Sequence, residues 1–133
     1  ADQPLPDQFR IGPHTDFGTV TILDREPGAG GLQVYSDEAG WQDAPYDPDA
    51  LTVNIGDLLE YWSGRRWPSG RHRVLPPQPH APEEDLVSLI YFYEANHDAV
   101  VTPLDPPIGK VSGLSPVTTS EFIKERLDAI TVG

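Results

Sequence analysis

The chain has 133 residues, a formal net charge of −12 and no cysteine, a size suited to one domain with a single core. The acidic balance disfavours nucleic acid and anionic membrane surfaces as partners. The absence of cysteine excludes disulfides and thiolate metal sites and fits the cytoplasm. Hydrophobic residues make up 38%, and 15 prolines and 12 glycines stand between the apolar runs, which suits short strands joined by turns.

No apolar run approaches the ~20 residues of a membrane span. The chain begins with Ala and holds no Met, so we expect a processed or excised piece of something longer. Residues Ala1 to Arg10 read as a loop. Thr19 to Leu23 is β-branched and apolar and predicts a strand. Asp24 to Gly31 is a turn cluster. Gly31 to Ser36 alternates as a half-buried strand with Leu32 and Val34 on one face, and Trp41 to Ala44 is its short return strand. Leu51 to Ile55 predicts another strand, ended by Gly56-Asp57 and closely followed by Leu58 to Trp62. Arg71 to Leu75 reads as a strand, and the longest apolar run, Leu86 to Tyr93, as a central strand buried on both faces. Val100 to Leu104 predicts a further strand cut short by Pro103. Thr118 and Glu121 then form a capping box, with Val117 and Phe122 as a hydrophobic staple. Ile123, Leu127 and Ile130 give the following helix one apolar face.

Chemistry concentrates before the first strand. In extended backbone, residues i and i+2 share a face, so His14 and Asp16 aim an imidazole and a carboxylate at one point. Iron(II) held by two histidines and one carboxylate keeps its opposite side open for oxygen and substrate, so the pair calls for a second histidine. His80, in a proline loop, is expected to be exposed and idle, and His97 to be a turn residue. His72 lies in a strand-like stretch whose return across the sheets can bring it beside the pair. By spacing alone it is equally well a core histidine satisfied by hydrogen bonds.

Several segments then occur in a fixed order: His14-Thr15-Asp16-Phe17-Gly18, Gly31-Leu32-Gln33-Val34, Val53-Asn54-Ile55-Gly56-Asp57, His72-Arg73-Val74 and Ser88-Leu89-Ile90-Tyr91-Phe92, with Asn96-His97-Asp98-Ala99 after them. Together they resemble the iron(II)- and 2-oxoglutarate-dependent oxygenases of the isopenicillin N synthase-like branch. The resemblance implies an all-β fold, a double-stranded β-helix (jelly roll) with a C-terminal helix, and His14, Asp16 and His72 as iron ligands. Members of that family are usually longer, with an amino-terminal region that helps to build the substrate pocket. Residues 1–133 are accordingly expected to be the catalytic core of a larger enzyme, without that region and without the strand that normally precedes the metal motif. Such a piece would self-associate or depend on the absent region.

By the same resemblance, 2-oxoglutarate is decarboxylated to succinate while a small organic molecule is oxidised, and Ser88 contacts the cosubstrate. The family usually reads Arg-x-Ser where this chain has Leu86-Val87-Ser88. Another cation must then replace that arginine, or 2-oxoglutarate is not the cosubstrate. Arg71 and Arg73 flank His72 and should point away from the metal, which leaves Arg10, Arg65, Arg66 or a residue outside this chain. Asn54 and Phe17 are expected to line or support the pocket or to be structural, and Trp62 and Trp67 to serve hydrophobic packing rather than substrate stacking. Two other readings remain at this stage: an oxidase of the same fold that does not use 2-oxoglutarate, and a jelly-roll module inactive in isolation.

Overall fold

The computed structural model describes residues 5–131. In chain order it holds β1 (Ile11–His14), β2 (Val20–Arg25), β3 (Leu32–Ser36), β4 (Gly40–Asp43), β5 (Thr52–Ile55), α1 (Asp57–Trp62), β6 (His72–Val74), β7 (Ser88–Tyr93), β8 (Val100–Val101), β9 (Val117–Thr118) and α2 (Thr119–Thr131). Four strands form one sheet in the order β1-β6-β3-β4, three form a second in the order β5-β2-β7, and β8 pairs with β9. Every pairing is antiparallel. The expected strands are therefore present. A strand, β1, also leads directly into His14, contrary to the expectation that none precedes the metal motif.

Register decides which side chains share a face. Thr21 lies opposite Asn54 on one side and Phe92 on the other, Leu23 lies between Thr52 and Ile90, and Arg25 is opposite Ser88. Since side chains alternate along a strand, these three rows point the same way. They line a cavity of about 630 Å³ whose other wall includes Ile11, Leu32, Val34 and Val74 of the four-stranded sheet. The space between the two main sheets is thus the cavity, and the buried core lies elsewhere. Leu58 of α1, fully buried, packs with Val101 and Phe122, and Tyr61, Ala95, Val117 and Ile123 surround them.

Two sequence expectations change. The run from Leu86 to Tyr93 is not a central strand. Its paired part, β7, sits at the edge of its sheet and every residue in it is exposed. A continuous apolar run does not report how many neighbours a strand has. The capping box of α2 forms as expected, with the Thr118 amide donating to Glu121 Oε2 and the Glu121 amide to Thr118 Oγ1. The helix nevertheless turns Thr119, Phe122, Ile123 and Arg126 inward, while Leu127 and Ile130 are 51% and 63% exposed. The ion pair from Arg126 to Asp57, at 3.0 Å, accompanies that rotation.

Candidate metal centre

Pairing of β1 with β6 puts His14 directly opposite His72, and the ring centroids are 4.2 Å apart. The chain leaves β1 at His14 and, two residues later, returns the Asp16 carboxylate between them. Asp16 Oδ1 is 3.6 Å from His14 Nε2 and 3.7 Å from His72 Nε2, and one ligand atom from each residue lies within 4.8 Å of the others. Two ligands at right angles around an ion, each about 2.1 Å from it, are about 3.0 Å apart. The two Asp16–histidine separations thus exceed that spacing by only about 0.7 Å.

The other atom of each group is already engaged. His14 Nδ1 is 2.8 Å from the Gly12 carbonyl oxygen and His72 Nδ1 is 2.8 Å from that of Gly70. A carbonyl only accepts, so each Nδ1 carries a proton and it is Nε2 of each ring that faces the centre. Asp16 Oδ2 accepts a hydrogen bond from Asn54 Nδ2 at 2.9 Å and another from the Thr21 hydroxyl, leaving Oδ1 to face the imidazoles. Burial alone would raise the pKa of this carboxyl. The Asn54 and Thr21 hydrogen bonds and the nearby imidazoles of His72 and His14 outweigh it and hold the carboxyl below its ordinary value. Two imidazole nitrogens and one carboxylate oxygen on one side of a point are the donor set that suits non-haem iron(II).

Backbone contacts hold this loop against α1. The amide of Gly56 donates to the Thr19 carbonyl, that of Asp57 to the Asp16 carbonyl, and that of Leu58 to the carbonyls of Phe17 and Gly18. These are the amides that a helix start leaves without partners of its own. The approach requires glycine, because a Cβ at position 56 would come 2.3 Å from the Gly18 carbonyl oxygen. From the same turn, the Ile55 carbonyl accepts the Gly70 amide, which fixes the residue whose carbonyl holds His72. The run Asn54-Ile55-Gly56-Asp57 therefore supports two of the three candidate ligands.

Ser88 and Leu86 both line the cavity, as do Arg10 and Arg25. Arg65 and Arg66 do not. Arg65 pairs with Glu60 at 2.9 Å, and Arg66 donates to the carbonyls of Pro107 and Ile108. Arg73 points outward as expected, its guanidinium 4.1 Å from the Trp41 ring centroid and its Nε on Gln33. Phe17 is half-buried outside the cavity, and His80 and His97 are exposed. Trp62 and Trp67 are 44% and 51% exposed, and neither lines the cavity. Two residues went unnoticed in the sequence. Thr21 and Arg25 share parity with Leu23 on β2, but only the register with β5 and β7 shows that this parity faces the cavity.

Residues 2–95 match the family model described as the 2OG-Fe(II) oxygenase superfamily. The chain belongs to this superfamily. Among its curated relatives, a validamycin A dioxygenase from Streptomyces hygroscopicus subsp. limoneus is 47% identical over 97% of this chain and 36% of its own. A 2-oxoglutarate-dependent dioxygenase, tropC, from Talaromyces stipitatus is 36% identical over 99% of this chain and 37% of its own. Among solved structures, a full-length Neurospora crassa protein in complex with alpha-KG and thymine superposes with a TM-score of 0.78 at 30% identity, covering 94% of this chain and 38% of that one. The chain thus spans little more than a third of the length of these superfamily members.

Proposed function

We propose that residues 1–133 form the jelly-roll core of an oxygenase that uses iron(II), oxygen and 2-oxoglutarate to oxidise a small organic molecule, with His14, Asp16 and His72 holding the iron and Ser88 contacting the cosubstrate. The observation that carries this reading is the convergence of His14 Nε2, His72 Nε2 and Asp16 Oδ1, each with its other polar atom engaged elsewhere. When bound, the iron with 2-oxoglutarate and oxygen supplies an oxidation in which 2-oxoglutarate loses carbon dioxide to become succinate and the second oxygen atom goes to the substrate. The chain's own residues bind and orient. Asn54 and Thr21 keep Asp16 ionised and turned toward the metal, while Leu23, Leu32 and Val34 give the cavity apolar walls. At about 630 Å³, the cavity is in the range of small-molecule sites. The relatives described as dioxygenases, and the thymine complex of the Neurospora crassa protein, support a small-molecule substrate.

Leu86 favours a second reading, an oxidase of the same fold that draws its electrons from elsewhere. The full-length protein loaded with iron(II) separates the two when incubated with 2-oxoglutarate and candidate substrates. Oxygen uptake with one succinate formed per oxygen is the result expected from the first reading. Uptake without succinate would select the second. Replacement of Asp16 by Ala should abolish both turnover and stoichiometric metal binding in a protein that still folds.

A further inference from the structure

The cavity contains an arginine that none of the metal-centre contacts uses. Arg25 ends β2 directly opposite Ser88 on β7. Directly opposite residues of an antiparallel pair present their side chains on the same face, and both residues line the cavity with Leu86. The guanidinium is half held. Its Nη1 donates to the Pro45 carbonyl at 2.9 Å and to that of Ala44 at 3.5 Å, and its carbon stands 5.4 Å from the centroid of the Tyr46 ring. Among the described residues, its Nε and Nη2 make no hydrogen bond and none of the ion pairs includes it. A planar cation fixed on one edge, with its other edge free, suits a carboxylate.

The other cavity arginine is committed differently. Arg10 is exposed and spends Nη2 on the Glu84 carbonyl at 2.7 Å, tying the start of β1 to the loop before β7. Glu26 and Asp85 also line the cavity, but the Glu26 carboxylate accepts the Val87 amide at 2.7 Å, and neither is within ion-pair distance of Arg25. Four carbon–carbon bonds of about 1.52 Å, extended, separate the two carboxyl carbons of a five-carbon dicarboxylate by about 5 Å. Arg25 lies four residues beyond Thr21, about 13 Å along the strand, with a long side chain to span part of the difference.

We propose that Arg25, together with Ser88, binds the carboxylate of 2-oxoglutarate remote from the metal, taking over from strand β2 the task for which position 86 carries no charge. The assignment rests on the reading of the protein as a 2-oxoglutarate-dependent enzyme, and binding measurements separate the two. The full-length protein loaded with Mn(II), without oxygen, is titrated calorimetrically with 2-oxoglutarate and with 2-oxopentanoate, which keeps the chelating keto acid and replaces the remote carboxylate by a methyl group.

Parent protein should bind 2-oxoglutarate at least thirtyfold more tightly than 2-oxopentanoate. Arg25→Ala should remove most of that preference and change 2-oxopentanoate binding less than threefold. Leu86→Arg added to Arg25→Ala should restore it, and Arg10→Ala should leave it within threefold. Loss of the preference in Arg10→Ala but not in Arg25→Ala would overturn the proposal, as would equal weakening of both ligands by Arg25→Ala. A parent protein that binds both keto acids equally would also overturn it while leaving the metal-dependent function intact. Binding of neither keto acid to metal-loaded parent protein would overturn both.

Discussion

At the scale of single residues, the centre is set by what engages the second atom of each candidate ligand. Asn54 is the clearest case, since its amide reaches Asp16 Oδ2 at 2.9 Å from the neighbouring strand. Groups that orient metal ligands typically change affinity by about 10–100-fold, and Asn54→Ala should weaken metal binding by roughly that factor. Thr21→Val should act in the same direction. The double variant should fall short of the sum of the two effects, because both donors serve one oxygen. Calorimetric titration with Mn(II) reads all three. His14 and Asp16 were legible in the sequence because two-residue parity survives the end of β1 at His14. His72 was open by spacing alone and was implied by the family resemblance, and its pairing opposite His14 brings it beside the other two. Asn54 was legible as a support of the pocket or a structural residue, but its bond to Asp16 and the cavity-facing position of Arg25 follow from register with β2, which depends on partners distant in the chain.

At the scale of elements, α1 and the loop before β2 behave as one piece. Gly56 permits the approach, and the fully buried Leu58 anchors the helix beside Val101 and Phe122. Gly56→Ala forces a Cβ against the Gly18 carbonyl and should destabilise the fold by about 1–3 kcal/mol, the range for overpacked sites, while also lowering metal affinity. Thermal unfolding and metal titration of the same variant test both halves of that statement. At the other end of the chain, Thr118→Ala should cost about 0.5–2 kcal/mol, the range for lost N-caps, and leave metal affinity unchanged. The strands themselves were legible from alternation and turn residues. The edge position of β7 was not, because an apolar run carries no record of its neighbours. The buried face of α2 was missed because an apolar stripe leaves open which part of it faces inward. Arg126 pairs with Asp57 on the inner side, while Leu127 and Ile130 turn out.

At the scale of the whole molecule, an edge strand of six exposed residues, Ser88 to Tyr93, stands against a net charge of −12. Unpaired apolar edges recruit other strands, whereas like charge keeps copies apart. Since charge repulsion is screened by salt, residues 1–133 alone should associate more strongly as ionic strength rises. Tyr91→Lys, on the face of β7 opposite Ile90 and Phe92, should shift them toward monomer. Sedimentation at low and high salt checks both. The bonds from the amides of residues 56–58 to the carbonyls of residues 16–19 have one more consequence, visible without any turnover. Opening of the loop must release those amides to solvent, so their deuterium uptake records how often the cradle comes apart. A bound ion that ties Asp16 to His14 and His72 makes that event rarer, and uptake at Asp57 should slow as metal is added. Uptake in the exposed turn around His80 should not change. The helix start thereby reports on a loop some forty positions earlier in the chain.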